Sequence, residues 1–292
     1  MLTRDTLHGF VPAIVTPFDA AGRIDEDAFL AIAAHLRARG ASAICVAGDN
    51  GESWALSATE RGRLTSLLVA EGMPVIVGCS APTRDAALSY ARAGAEAGAR
   101  ALLAMPPTYV MKGSDAEVAR RYAALAEIGP PLVLYNSPRR AGHSMSVDLI
   151  ERLAGDLPVI GIKESHRDWF HHSHLLDRMA DRIAVMTGPC HYILPAFALG
   201  ARGFIATGPE LLPGPVDGLA GLTPGSEAYR TAHRQLAGIY ETLMGIGTWP
   251  AALKAALGLM GLPAGVPRDP VLPLGPEETN ALRAAMARLG LL

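Results

Sequence analysis

Short apolar runs alternate with longer alanine-rich segments along residues 1–206. The runs are rich in Val, Ile, Leu and Ala, which is typical of strands buried in a parallel sheet. They cover residues 10–15, 43–47, 74–78, 101–105, 132–136, 159–164, 183–187 and 203–206. We predict a strand at each of these positions.

The segments between the runs predict helices, because their apolar residues recur at helical spacing. Ser57 and Ser114 each precede a glutamate by three residues, which is the capping-box pattern of a helix start. The predicted helices cover residues 25–39, 57–70, 83–98, 114–127, 146–153, 169–179 and 191–199.

Eight consecutive strand–helix units predict an α/β fold with a parallel sheet closed into a (β/α)₈ TIM barrel. An open, doubly wound sheet is the alternative. The first strand–helix turn lacks the G-x-G-x-x-G pattern typical of dinucleotide-binding sheets, and no Walker A motif occurs. The barrel is therefore the favoured architecture.

The chain changes character near Pro224, where only helical periodicity remains, over residues 227–244, 249–260 and 276–289. We predict a barrel carrying the active site at residues 1–223 and a C-terminal helical region at 224–292. No low-complexity linker separates them, so we expect the helices to pack on the barrel.

Lys163 ends the sixth predicted strand, where apolar walls close around its ammonium group. Desolvation disfavours the charged form and lowers the pKa, and a partly neutral lysine can form a Schiff base with a carbonyl. The alternative is an ordinary lysine whose head reaches solvent from the strand end.

Other polar residues follow the C-terminal ends of strands, where active sites of such barrels lie. Tyr135 could move protons, and Arg140 could bind a carboxylate. The turn after the second strand, ending at Gly51, could bind another carboxylate through backbone N–H groups. Gly188 and Ile205 follow the seventh and eighth strands. Each has an ordinary structural interpretation alone, but together they favour a site.

Three motifs occur in order: Gly-x-x-Gly-Glu at 48–52, Tyr-Asn-x-Pro-x-Arg-x-Gly at 135–142, and Gly-Ile-Lys-Glu at 161–164. With the Thr-Pro-Phe opening at 16–18, the chain resembles the dihydrodipicolinate synthase / N-acetylneuraminate lyase family of class I, pyruvate-type aldolases. The resemblance covers essentially the whole chain.

The resemblance implies a (β/α)₈ barrel, a homotetramer built as a dimer of dimers, and a Schiff base between Lys163 and a 2-oxo acid, typically pyruvate. It implies that Tyr135 relays protons and that Arg140 binds a substrate carboxylate. Tyr109 resembles a tyrosine that reaches the neighbouring subunit's site, and Ile205 matches the residue whose carbonyl faces the lysine.

The strand-two turn departs from the family pattern. The family usually has Gly-Thr-Thr-Gly-Glu or Gly-Ser-Thr-Gly-Glu, whereas this chain has Asp49 and Asn50 in place of the two hydroxyl residues. Asn50 can still donate a hydrogen bond. Asp49 would repel a nearby carboxylate, or could itself act as an acid or base.

Two further departures flank later strands. Residues 164–167 read Glu-Ser-His-Arg instead of Glu-Ala-Thr-Gly, and residues 208–210 read Gly-Pro-Glu where an alanine–asparagine pair is frequent. We therefore expect Schiff-base chemistry on a 2-oxo acid, while the substrate stays open.

Composition narrows the class of protein. The net charge is -2 without a basic stripe, which disfavours nucleic acid, and no apolar run reaches the ~18 residues of a membrane span. The N-terminus lacks the apolar segment of a signal peptide, and the three cysteines form no C-x-x-C pair. We expect a cytoplasmic protein that needs no metal or organic cofactor.

The sequence thus predicts a lyase that joins Lys163 to pyruvate or a related 2-oxo acid and acts on the adjacent carbons. One alternative is a dehydratase or deaminase of a 2-keto-3-deoxy sugar acid or cyclic imino acid, using the same lysine with Asp49 assisting. The other is a barrel that binds or regulates without turnover.

Overall fold

The computed structural model describes residues 1–109 and 113–292. Within them, eight parallel strands form one sheet in the order β1-β8-β7-β6-β5-β4-β3-β2. The strands are β1 (Gly9–Phe10), β2 (Ile44–Val46), β3 (Val75–Gly78), β4 (Ala101–Ala104), β5 (Leu132–Asn136), β6 (Val159–Glu164), β7 (Ala184–Thr187) and β8 (Gly203–Phe204).

The sheet closes on itself between β1 and β2. The Cys45 N–H donates to the Pro12 carbonyl at 2.8 Å, and the Ile14 N–H donates to the Cys45 carbonyl at 3.1 Å. The regular ladder of β1 is short because Pro12 has no N–H to contribute. The closed (β/α)₈ barrel confirms the predicted fold class, although the predicted first strand at 10–15 is mostly irregular.

Helices cover the outside of the barrel, and the predicted ones are present with shifted ends. They are α1 (Glu26–Ala38), α2 (Ala58–Ala70), α3 (Arg84–Glu96), α4 (Asp115–Ala126), α5 (Pro138–Ala141), α6 (Val147–Asp156), α7 (Trp169–Met179), α8 (Ile193–Ala198), α9 (Glu227–Gly245), α10 (Trp249–Leu259) and α11 (Pro276–Arg288). Both predicted capping boxes form, at Ser57 and Ser114. The short helix α5 was not predicted.

The C-terminal helices share one apolar cluster with the barrel. Leu236 of α9 and Leu253 of α10 belong to the same buried cluster as Phe29 of α1 and Leu64 of α2. The functional division at residue 223 stays a prediction. None of the helices in the described part of the chain is long and apolar enough to cross a membrane.

Candidate active site

A pocket lies at the C-terminal ends of the strands, with a cavity volume of about 90 Å³. One buried water needs roughly 10–15 Å³ by the same kind of measure, so the cavity admits a small molecule. Seven of the nine predicted site residues line it: Asp49, Asn50, Tyr135, Arg140, Lys163, Gly188 and Ile205.

Lys163 reaches the pocket because side chains alternate along β6. Its neighbour two residues back, Gly161, is packed so closely that an added Cβ would lie 2.7 Å from the Ala184 carbonyl. Glu164 faces the other way, is fully buried, and accepts a hydrogen bond from Asn136 at 3.0 Å. The β6 end is therefore fixed on both faces.

The environment of Lys163 favours a neutral amine. The residue is 6% exposed, and its Nζ lies 4.3 Å from the centroid of the Tyr135 ring. Burial lowers the pKa of Lys163, and the negative charge of Asp49 opposes that shift. Within the described residues, no carboxylate oxygen lies within ion-pair distance of this Nζ.

Asp49 connects Tyr135 to Arg140. The Tyr135 hydroxyl donates to Asp49 Oδ2 at 2.8 Å, and Arg140 Nε lies 3.4 Å from the same oxygen. Burial, and then the Asp49 charge, raise the pKa of Tyr135 well above its ordinary value. The hydroxyl therefore keeps its proton and directs it towards a carboxylate that can accept it.

The turn that carries Asp49 has a strained backbone held from both ends. Ala47 and Glu52 have left-handed φ angles of 53° and 54°. Arg61 of α2, fully buried, donates to the Gly78 carbonyl at 2.6 Å and also to the Ser53 carbonyl. Glu52 pairs with Lys254 of α10 at 2.5 Å. These buried partners fix a conformation that costs about 1–3 kcal/mol per strained residue.

Asn50 offers a hydrogen-bond donor to the pocket. Its Oδ1 accepts from the Thr207 hydroxyl at 2.6 Å. Its Nδ2 is buried and has no hydrogen-bond partner among the described residues. A buried donor without a partner costs about 1–3 kcal/mol, so a ligand oxygen at this position would be favourable.

Two predicted residues lie outside the pocket of their own chain. Gly51 packs against the irregular segment that follows β1, where an added Cβ would be 2.8 Å from the Ile14 carbonyl. It thus holds the turn in place beneath Asp49 and Asn50. Tyr109 is 94% exposed with a φ of 68°, directly before residues 110–112, which lie outside the described residues.

Several lining residues were not predicted, among them Ser165, Arg167, Thr207, Tyr240, Met244 and Trp249. Trp249, the first residue of α10, lies under the Arg140 guanidinium at 4.5 Å from the ring centroid. Tyr240 and Met244 come from α9. The sequence pattern marks these helices as amphipathic but gives no indication of which barrel face they cover.

The described residues hold no group of three or more His, Cys, Asp or Glu side chains placed to bind a metal ion. The histidines near the start of α7 have other contacts. His166 stacks on His171 with centroids 4.4 Å apart. Burial lowers the pKa of His172 to about 4, so this ring is neutral at ordinary pH.

A buried lysine and a tyrosine at the mouth of a (β/α)₈ barrel define a class of enzyme, the class I aldolases, and comparison with known proteins identifies the family. The sequence model of the dihydrodipicolinate synthetase family matches residues 6–289. The chain belongs to this family and is a lyase of the class I aldolase type, which confirms the resemblance seen in the three motifs.

Individual relatives agree with this assignment. A 4-hydroxy-tetrahydrodipicolinate synthase from Methanosarcina mazei is 31% identical over 290 residues, covering 98% of this chain and 99% of the relative. The crystal structure of dihydrodipicolinate synthase DapA-2 from Bacillus anthracis is 29% identical, with a TM-score of 0.88 over 96% of this chain and 97% of that one.

A more distant structure shares the fold alone. CdNal from Clostridium difficile, solved in complex with mannosamine, is 21% identical, with a TM-score of 0.85 over 97% of this chain and 99% of that one.

Proposed function

We propose that Lys163 forms an imine with the C2 carbonyl of pyruvate or a related 2-oxo acid. The observation that carries this proposal is the environment of Lys163, which is buried in a pocket beside Tyr135 without a carboxylate partner at ion-pair distance among the described residues. Such a lysine has a larger fraction of free amine near neutral pH than an exposed one.

The first step is attack of the neutral amine on C2, which gives a carbinolamine. Its hydroxyl leaves as water after it receives a proton from the Tyr135 hydroxyl, and the iminium forms. The proton that the amine releases on attack becomes the carbinolamine hydroxyl proton, and the Tyr135 phenolate is reprotonated later by the proton lost from C3. The hydrogen bond to Asp49 holds the Tyr135 oxygen in place, and the O–H turns from Asp49 to the carbinolamine oxygen for the transfer.

The iminium then acts as an electron sink. Loss of a proton from C3 gives an enamine, which can attack an acceptor aldehyde; the reverse sequence cleaves the bond. Asn50 Nδ2, a buried donor with no partner in the described part of the chain, is suited to hold the 2-oxo acid's carboxylate. Gly188 and Ile205 complete the wall around the reacting carbons.

A second candidate is dehydration or deamination of a 2-keto-3-deoxy sugar acid or cyclic imino acid. It is favoured by Asp49, whose carboxylate lies where the family usually has a hydroxyl and touches both Tyr135 and Arg140. A carboxylate here can accept a proton from a substrate hydroxyl or carbon. The assembled lysine, tyrosine and carboxylate weigh against a barrel that only binds or regulates.

The oligomeric state is also a proposal. We propose a homotetramer built as a dimer of dimers, in which the exposed Tyr109 enters the active site of the neighbouring subunit. A cytoplasmic location remains a prediction from composition and from the free cysteines.

The first experiment incubates the protein with pyruvate and sodium borohydride and measures the intact mass. Reduction of the imine would leave an N-carboxyethyl group on wild-type protein and none on Lys163→Ala. A folded wild-type protein that gains no adduct would overturn the Schiff-base proposal.

A turnover assay then separates the two candidates. Condensation of pyruvate with aspartate semialdehyde would support synthase activity. Its absence, with turnover of a 2-keto-3-deoxy sugar acid or cyclic imine, would select the alternative. Asp49→Thr refines the choice: tighter pyruvate binding would mark Asp49 as repulsive, whereas loss of turnover of the natural substrate would mark it as a participant.

A further inference from the structure

The mouth of the pocket carries more positive charge than a monocarboxylate requires. Among the described residues, three arginines line the pocket beside Lys163, namely Arg139, Arg140 and Arg167, against the single carboxylate of Asp49. Two of these charges, Asp49 and Arg167, stand where the family pattern has uncharged residues. The chain has thus gained one anion and one cation in the same pocket.

Arg140 is already engaged by the added anion. Its Nε lies 3.4 Å from Asp49 Oδ2, and its guanidinium carbon lies 4.5 Å from the centroid of the Trp249 ring. Part of the charge that would attract a substrate carboxylate is therefore balanced within the protein. A substrate anion placed against Arg140 would also approach Asp49 and be repelled by it.

Arg167 has no such partner in the described part of the chain, although it is firmly placed. Its backbone carbonyl accepts from the Tyr192 hydroxyl at 2.6 Å. The preceding N–H, of His166, donates to buried Glu164 at 2.6 Å. Its Nη2 donates to the Tyr240 hydroxyl oxygen. These hydrogen bonds fix the loop, and the Arg167 guanidinium has no carboxylate partner among the described residues.

We propose that Arg167, positioned by Tyr240, binds a second anionic group of the substrate, at the end remote from the carbon attached to Lys163. The substrate class is a 2-oxo acid with a terminal carboxylate or phosphate. This rests on the proposed imine at Lys163, and it transfers to Arg167 the anion-binding role that Asp49 weakens in Arg140.

The test compares 2-oxo acids of equal chain length with and without a second carboxylate. The probes are 2-oxoglutarate against 2-oxopentanoate and 2-oxoadipate against 2-oxohexanoate. Each is trapped with borohydride, and the concentration giving half-maximal adduct is measured by mass spectrometry. A charge-assisted hydrogen bond of about 1.5–3 kcal/mol predicts that one diacid is favoured about tenfold or more over its monoacid.

Variants locate the preference. Arg167→Gln is expected to abolish it while leaving pyruvate trapping in place. Tyr240→Phe keeps every charge but releases the guanidinium, so a partial loss is expected from a positioned group and none from general attraction. Arg139→Gln is the matched control, because it removes an equal and similarly exposed charge from the same mouth. We expect less than about a twofold change, since among the described residues the Arg139 guanidinium is held only by a long contact of 3.9 Å to the Met244 sulfur and is not positioned as Arg167 is.

The outcomes separate the two proposals. Failure of pyruvate itself to form an adduct overturns the imine. A pyruvate adduct without a diacid preference, or equal losses in Arg139→Gln and Arg167→Gln, overturns the role of Arg167 alone. Replacing the terminal carboxylate by a phosphonate of equal length shows which group the subsite prefers, and either preference supports an anion subsite provided that Arg167→Gln removes it.

Discussion

Two lysines of this chain, Lys163 and Lys254, are buried to a similar degree, at 6% and 2% exposure. Burial lowers the pKa of both. Their partners differ: Lys254 Nζ lies 2.5 Å from Glu52 Oε1 and donates to the Val266 carbonyl at 2.7 Å. Lys163 instead faces an aromatic ring and a pocket.

Because both lysines are buried, burial alone does not distinguish the proposed nucleophile Lys163 from Lys254. The Glu52 carboxylate raises the pKa of Lys254 against the effect of burial and occupies its hydrogen-bonding capacity, so this lysine joins α10 to the barrel. Lys163 bears the cost of burial without a comparable partner among the described residues. Burial shifts its equilibrium towards the neutral amine, and the adjoining cavity gives a carbonyl access to it.

The largest effect is expected from Lys163→Ala, which removes the proposed nucleophile. Turnover should fall to background, because no other described lysine faces the pocket. The melting temperature should be retained or should rise, since a buried amine is removed. Thermal unfolding and the turnover assay check this, and residual activity above a few per cent of wild type would contradict the assignment.

Tyr135→Phe removes the hydroxyl group that we propose as the proton donor beside Lys163. Loss of a positioned proton donor typically costs about 10²–10⁴-fold in rate. We expect kcat to fall by that order while the Lys163 adduct still accumulates slowly in the presence of borohydride. Single-turnover trapping measured against kcat separates these effects. An unchanged kcat would remove Tyr135 from the mechanism.

Lys254→Met tests the buried lysine that is paired with Glu52. It leaves the Glu52 carboxylate buried without its cation, and breaking a buried pair typically costs about 3–5 kcal/mol. Denaturant unfolding should show this loss, whereas the Lys163 adduct should still form. The double variant Lys254→Met/Glu52→Gln should regain much of the stability. A stable single variant would mean that the pair contributes little.

Glu210 is a buried acid, so burial shifts its pKa upwards, whereas burial lowers the pKa of the two buried lysines. Burial raises its pKa to about 7 from an ordinary 4.5, and its Oε2 accepts from the Gly208 N–H at 2.7 Å. Between pH 4.5 and about 7 the folded chain binds more protons than the unfolded one. The free energy of unfolding therefore falls as the pH rises through this range. The loss should be roughly 3 kcal/mol.

Glu210→Gln keeps the acceptor for Gly208 and removes the titration. Its unfolding free energy, measured at pH 4.5 to 8, should lack this decline. An equal decline in wild type and variant would show that another group is responsible.

The strands around the lysine could be predicted well from the sequence. The predicted limits of β5 and β6 agree with Leu132–Asn136 and Val159–Glu164. Both are continuous apolar runs buried on two faces, which is the strongest strand signal a parallel sheet gives. The order of the strands makes β5 and β6 neighbours, but the pairing of Tyr135 with Lys163 also requires the register shift between Leu132 and Val133, which the sequence pattern does not predict.

The residues that α9, α10 and the loop after β6 contribute to the pocket could not be predicted from the sequence. Trp249 and Tyr240 lie on helices whose apolar faces have several barrel surfaces on which to pack. Arg167 lies in a loop held by Tyr192 and Tyr240, contacts that span 25 and 73 residues of sequence. Local periodicity contains no information about such long-range contacts. The proposed anion subsite at Arg167 therefore could not be predicted from the sequence.

The most direct test maps the borohydride-trapped pyruvate adduct over the three lysines of the chain at a series of pH values. Peptide mass spectrometry would assign the site, and the amount of adduct would follow the free amine. We predict an adduct on Lys163 and none on Lys254, with half-maximal trapping below pH 10.5, the ordinary pKa of lysine. Comparable labelling of Lys254, or a midpoint at 10.5 or above, would contradict the account.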